Sequence, residues 1–382
     1  MANCRHTVKA PLHLVRSCHP VIMRRLLCIL AASFALSSAS ATQPVWPPTF
    51  ERTQLAEGVY AFVFNNPLGP AVDGTALVVI NESDVLVVDA QNTLHSARAI
   101  LTEIRKLTPK PVRYVVTTHW HGDHHAGNTI YQEAFPGVDF IAHRNTRIDI
   151  VEQHIPGMES FRSRVPSMIE RYHEQLKSGK RSDGSPLTAE DSTFLRESAS
   201  LVKQLGEDAQ QQKTILPTLT VDSEVVLHRG NRRIEIKYFG RGNTRGDLVV
   251  FLPNERIVAT GDLLVHPVPY SFGSYLGEWI QTLRTVSALP VDVIVPGHGA
   301  IQRDRSYLNQ VVALLESTLS QTKAAVARGL DLAATRQAVK LDSLRLKFTR
   351  GERARERAFN AYFATPAVER AFLEAKGELD KK

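Results

Sequence analysis

Four metal-ligating side chains fall within the six residues His119-Trp120-His121-Gly122-Asp123-His124, just after the apolar run Arg113-Tyr114-Val115-Val116. A lone histidine is usually an ordinary surface or core residue. Four donors in this order past an apolar strand point instead to a metal site. Side chains two apart in extended backbone point the same way, so His119 and His121 can present their rings to one point while Gly122 lets the chain turn. Imidazole nitrogen and carboxylate oxygen are donors that zinc prefers, in tetrahedral sets of four.

The elements around this cluster read as an α/β chain. β-type runs at Val59 to Phe64, Ala76 to Ile80 and Val85 to Val88 are separated by Gly, Asn and Asp turn signals and predict a meander. A helix is expected at about Ser96 to Leu107, where Ala97, Ile100, Leu101, Ile104 and Leu107 recur at helical spacing. From about 145 to 213 the pattern is helical and polar, broken by the turn-like stretch from Ser178 to Pro186, and is expected to be a helical insertion. Strand signals return at Leu219 to Leu227, Arg233 to Phe239, Leu248 to Leu252, Ile257 to Ala259 and Val291 to Val295. Residues 303–382 are expected to form a helical extension packed on the same domain, its last helix opened by Thr365 as N-cap with Pro366 at the first position. Two βα halves in a four-layer sandwich satisfy this order, each sheet burying one face on the other and one under helices.

The N-terminal segment differs from the rest. It carries no Asp or Glu, Met23-Arg24-Arg25 precedes the apolar run Leu26 to Leu36, and Ala39-Ser40-Ala41 offers a small-x-small cleavage pattern. The expectation is a signal peptide over residues 1–41, a periplasmic or secreted product, and no membrane anchor after cleavage, since a spanning helix needs about 20 apolar residues. Cys4, Cys18 and Cys28 all lie in that segment, so the mature chain would have no thiol and its metal donors must be His, carboxylate or amide. Loss of the five leader cations takes the formal charge from +7 to +2. With no basic-aromatic stripe left, nucleic acid is not an expected partner and a small molecule is.

The run His-x-His-x-Asp-His resembles the signature of the metallo-β-lactamase superfamily. Val87-Val88-Asp89 resembles that family's acidic strand end, Thr260-Gly261-Asp262 the position of its bridging aspartate, and Pro296-Gly297-His298-Gly299 the segment supplying its last histidine. The resemblance spans about Val59 to Ala300. It implies an αββα sandwich, one zinc on His119 and His121, a second on Asp123, His124 and His298, and Asp262 shared; the domain itself is expected over residues 42–302. The segment Gly240-Arg241-Gly242-Asn243-Thr244-Arg245-Gly246-Asp247 departs from the family, because Asn243 stands where a third histidine is usual. An amide oxygen is the weaker donor, so the first site is expected to bind zinc less tightly. His125 and His266 are alternative donors there, and hydrogen bonding to a ligand or a structural role is the more ordinary reading of both.

Zinc lowers the pKa of a bound water to about 7, so the expected activity is cleavage of a small ester, lactone, thioester or amide by a metal-bound hydroxide, with Asp123 orienting the nucleophile. Asp89 can fix the tautomer of a ligand histidine. The loop Asn65 to Pro70 is a candidate substrate flap, and the aromatic stretch Pro269 to Tyr275 a candidate cleft lining. Asp at 262 resembles the glyoxalase-like and lactonase branches more than the β-lactamases, which usually place Cys or Ser there. β-Lactam hydrolysis is therefore one alternative, and a periplasmic metal- or partner-binding module without turnover is another.

Overall fold

A computed structural model describes residues 49–65 and 73–380 of the 382-residue chain. The expected leader, its three cysteines and most of the 65–70 loop lie outside the described residues. The first sheet runs β1 (Phe50–Ala56), β2 (Val59–Phe64), β3 (Ala76–Ile80), β4 (Val85–Val88), β5 (Val112–Val116), β6 (Asp139–His143) and β7 (Leu219–Val221), in that spatial order. Its first half is an antiparallel meander, and from β4 onward the pairs are parallel. In the second sheet β8 (Glu224–Arg229), β9 (Arg232–Tyr238), β10 (Leu248–Leu252) and β11 (Ile257–Ala259) are antiparallel, and β12 (Val293–Val295) adds parallel to β11.

Side-chain alternation along the strands sets the layers. Leu86 and Val88 of β4 face the second sheet's Ile234, Ile236, Val250 and Val295, whereas Val85 and Val87 face outward. The outward set is covered by helix α1 (Leu94–Leu107), through Ala97, Ile100 and Ile104, and by Ile130 and Tyr131. Strands buried on both faces read as continuous apolar runs, which is why β3, β4 and β10 are legible as plain Val/Leu/Ile stretches.

Between β5 and β6 the chain forms α2 (Gly122–His125) and α3 (Asn128–Ala134), and between β6 and β7 it forms α4 (Arg144–Asp149), a π turn at Ile150–His154, α5 (Ile155–Ser178) and α6 (Ala189–Gln211). The last two pack on each other through Tyr172, Leu195, Ala199 and Val202. On the outer face of the second sheet, Val249, Phe251 and Ile294 meet Trp279 and Leu283 of α7 (Leu276–Ala288) and Val311 and Leu315 of α8 (Ser306–Ala327). The same cluster takes in Phe348 of α10 (Asp342–Thr349), which follows α9 (Leu332–Ala338), as well as Ala358 of α11 (Arg353–Ala358) and Val368 of α12 (Thr365–Ala375). No helix among the described residues is long and apolar enough to cross a membrane.

Two local expectations are corrected. The run from Leu219 to Leu227 is split at Asp222-Ser223: β7 pairs with β6 in one sheet and β8 with β9 in the other. Thr365 is not an N-cap, because Ala364 before it is already helical at φ −58°, ψ −49° and the helix arrives through a π turn at Phe359–Ala364. Pro366 has no N–H and its ring crowds the carbonyl four residues back, so the turn before it widens instead of ending the helix. Pro156 follows the other π turn in the same way.

Candidate metal centre

The donors stand at the carboxyl ends of strands from both sheets. Asp89 follows β4, the motif follows β5, Asp262 lies on a 3-10 turn after β11 and His298 follows β12. His119, His121 and Asp262 bring three ligand-type atoms within 4.8 Å of one another, and Asp123, His124 and His298 form a second such group. Asp262 joins them, with Oδ2 3.7 Å from His119 Nε2 and Oδ1 3.4 Å from both His124 Nε2 and His298 Nε2. Close backbone approach makes room for this. A Cβ at residue 297 would lie 2.0 Å from Asp262 Oδ1, and one at residue 74 would lie 2.9 Å from the His124 ring, so both positions require glycine.

The hydrogen bonds behind the rings fix which nitrogen carries the proton. Asp89 accepts from Thr118 N–H at 2.8 Å, from Thr118 Oγ1 at 2.9 Å and from His124 Nδ1 at 2.8 Å. Thr118 Oγ1, its proton committed to Asp89, accepts from His119 Nδ1 at 3.1 Å. His298 Nδ1 donates to the Asp73 carbonyl at 3.1 Å. In neutral rings the Nε2 lone pairs of all three therefore point inward. His124 Nε2 and His298 Nε2 face each other at 3.2 Å, and His119 Nε2 faces His121 Nδ1 at 2.9 Å. Lone pairs this close repel unless a proton or a cation lies between them. Two buried oxygens, Asp262 Oδ1 and Asn243 Oδ1, lack any hydrogen-bond partner, which also suits a cation. The donor set fits zinc.

Charge reinforces the arrangement. Burial disfavours the charged form of His124, yet Asp123, Asp89 and Asp262 together hold its pKa well above the ordinary value. His298 is raised against the same burial by Asp262 and Asp123. Burial and the neighbouring His124 and His121 keep His119 well below its usual range. For Asp123 burial is outweighed by His124 and His298, which hold the carboxyl well below the carboxylate range.

All six His and Asp residues singled out in the sequence thus come together. Asn243 is fully buried, and its amide Nδ2 donates to the Asp262 carbonyl at 3.2 Å, which leaves Oδ1 as the free acceptor. His125 and His266 belong to neither donor group. His125 Nε2 donates to the Trp120 carbonyl at 3.0 Å, and the His266 ring lies 4.9 Å from that of Tyr307. Sequence reasoning missed three contributors: Thr118, Asp73 and His154. His154, on the first π turn, stacks edge-on against His125 at 4.3 Å and would touch any Cβ at Gly122 at 2.9 Å. Nothing in its local pattern marks it, because a π turn shifts which residues share a helix face.

Two stacked sheets under helices, with histidine and aspartate donors gathered at strand ends, define a class of protein built around a metal centre. The sequence model of the Metallo-beta-lactamase superfamily matches residues 69–298, more than half of the chain, and the chain belongs to that superfamily. A linear primary-alkylsulfatase from a Pseudomonas species is 23% identical over 243 residues, covering 62% of this chain and 43% of that protein. This chain therefore spans less than half the alkylsulfatase's length. A type 2 metallo-beta-lactamase of Bacillus cereus is 24% identical over 254 residues, covering 65% of this chain and 75% of the relative. Among solved structures, a metallo-beta-lactamase from Pontibacter korlensis covers 70% of this chain and 99% of its own at 19% identity, with a TM-score of 0.48.

Proposed function

We propose that the chain is an exported zinc hydrolase of small esters, lactones, thioesters or amides. His119, His121 and Asp262 hold one ion, with Asn243 as a weak further donor, and Asp123, His124 and His298 hold a second that shares Asp262. The observation that carries this reading is the inward set of Nε2 lone pairs, fixed from behind by Asp89, Thr118 and the Asp73 carbonyl. When bound, zinc supplies Lewis acidity to a scissile carbonyl and lowers the pKa of a coordinated water to about 7. Asp123 is the more open carboxylate, with 20% of its side chain exposed against 1% for Asp262, so it can reach an entering water and orient it for attack. The buried Asp262 can only face the donors.

Hydrolytic relatives favour turnover over a metal-storing module. Several similar proteins are named for β-lactams, but aspartate at position 262 resembles the lactonase-like branches more, which supports an ester or lactone as the main substrate. The test is a panel of lactones, thioesters, β-lactams and an alkyl sulfate, assayed with zinc-loaded and chelated protein. Chelator-sensitive turnover of an ester or lactone is expected. Bound zinc with no turnover of any panel member would overturn the reading. Export predicts that the intact mass of the released protein begins at Thr42; retention of residues 23–41 would refute it.

A further inference from the structure

The loop that follows Asp262 runs along the donor cluster. Tyr270 stands beside His298, with ring centroids 5.3 Å apart, and the Tyr275 N–H donates to the Gly242 carbonyl at 2.9 Å, next to Asn243. This loop is tied to the C-terminal helices by an unusual pair of bonds. Pro366 has no N–H to donate to the Tyr362 carbonyl four residues back, and Ser271 bonds that carbonyl through its N–H at 2.9 Å and its Oγ at 3.2 Å. Ser271 Oγ also bonds the Phe363 carbonyl at 3.0 Å.

The π turn thereby sets the Tyr362 ring against the loop. Tyr362 meets Tyr270 edge-on at 5.3 Å and Phe272 at 5.8 Å, and Tyr270 lies 6.0 Å from Phe272. Tyr270 is buried against the centre, where burial, Tyr362, Asp262 and Asp123 keep its hydroxyl protonated. Phe272 and Tyr362 are only half-buried. The result is a chain of ring contacts that runs from His298 through the buried Tyr270 to the half-buried Phe272 and Tyr362.

We infer that Tyr270, Phe272 and Tyr362 form a wall of the cleft that receives an aryl or extended alkyl group of the substrate, so that the C-terminal helices select substrates with a bulky apolar part. This rests on the proposed hydrolase reading for its kinetic arm only. Half-exposed rings stacked edge-to-face gain contact area when an apolar group covers them, and such faces beside a few fixed polar groups are what ligand pockets use.

The kinetic arm compares an unsubstituted lactone with one bearing a phenyl-terminated side chain, using the zinc-loaded full chain. Tyr362→Ala should lower the ratio of kcat/KM for the substituted over the unsubstituted lactone about tenfold, the scale of a lost apolar contact in a pocket. Tyr362→Phe, which keeps the ring, should restore it. Phe272→Ala should lower the ratio too, without touching the Ser271 bonds. The second arm needs no turnover: calorimetry on chelated protein should show 4-phenylbutyrate binding more tightly than acetate, and Tyr362→Ala should remove the difference. Equal losses on both lactones, or no preference for phenylbutyrate, would make the rings packing and overturn the wall. Absence of turnover on every member of the substrate panel, with the phenylbutyrate preference intact, would sink the hydrolase reading and leave the wall standing.

Discussion

Asp89 sits at φ 62°, a left-handed conformation that costs most residues roughly 1–2 kcal/mol but that Asp and Asn visit more readily. Asp89→Asn therefore keeps the backbone and isolates the charge. An amide NH₂ facing His124 Nδ1 would push that ring's proton to Nε2, so zinc affinity should fall about 10- to 100-fold with the far-ultraviolet spectrum unchanged. Undiminished affinity would show that Asp89 does not set the tautomer. Asn243 bears on the first ion: zinc titration of the metal-free protein should show two unequal steps, and Asn243→His should tighten the weaker one. Two equal steps, unmoved by that change, would exclude Asn243 from the shell. Acidity should act on the other group. Because carboxylates hold the pKa values of His124 and His298 up, protons stay on those rings to higher pH than on a free imidazole and compete with metal, so zinc binding there should weaken, and proton release on binding should grow, as pH falls through a range that begins above the ordinary histidine value. Flat affinity across that range would contradict the assignment. The ligand-type residues and Asp89 were legible in the sequence because their chemistry is carried by residue type and short spacing. Thr118, Asp73 and Gly297 were not, since a hydroxyl, a backbone carbonyl and the absence of a Cβ matter only through contacts between distant segments.

At the scale of elements, α1 has no acidic residue in its first turn, yet its N-terminus is not bare. Asp208, near the end of α6, accepts from the Leu94 N–H at 3.1 and 2.9 Å, adding to the local cap of Thr93 on Ser96. Asp208→Ala should cost about 1 kcal/mol in denaturant unfolding through loss of the bond and of the charge at the helix dipole. A change of a few tenths or less would mean that water replaces it. Strands β2, β3, β4, β10 and β11 match their predicted bounds because apolar runs between turn residues mark them. β1 escaped notice because Phe50–Ala56 is an edge strand rich in polar residues. β6 has five residues and no alternation to read, and the Leu219 to Leu227 run hid a change of sheet behind two polar residues. Thr365-Pro366 looked like a helix start because that pair usually is one; the Ser271 bonds that let the helix pass through cannot be seen in local sequence.

Across the whole molecule, the layers followed from the order of β and α patterns, whereas the aromatic contact of the last helices with the centre did not, because it depends on how a distant segment folds back. Donors drawn from the ends of β5, β11 and β12 make the centre a bridge between the two sheets. Metal should then stabilise the native chain by mass action, about 2.7 kcal/mol at a free zinc concentration one hundred times Kd, and chelation should lower Tm accordingly. A Tm indifferent to chelator would place the donors outside any folding linkage. The close approaches at Gly74 and Gly297 bear on how such a chain can change. In a library that samples every substitution at every position, these two glycines should be as intolerant as the histidines they adjoin, although neither takes part in a chemical step. A reader of the library alone would count them as catalytic, and a designer moving this centre to another scaffold would need to carry them along with the ligands.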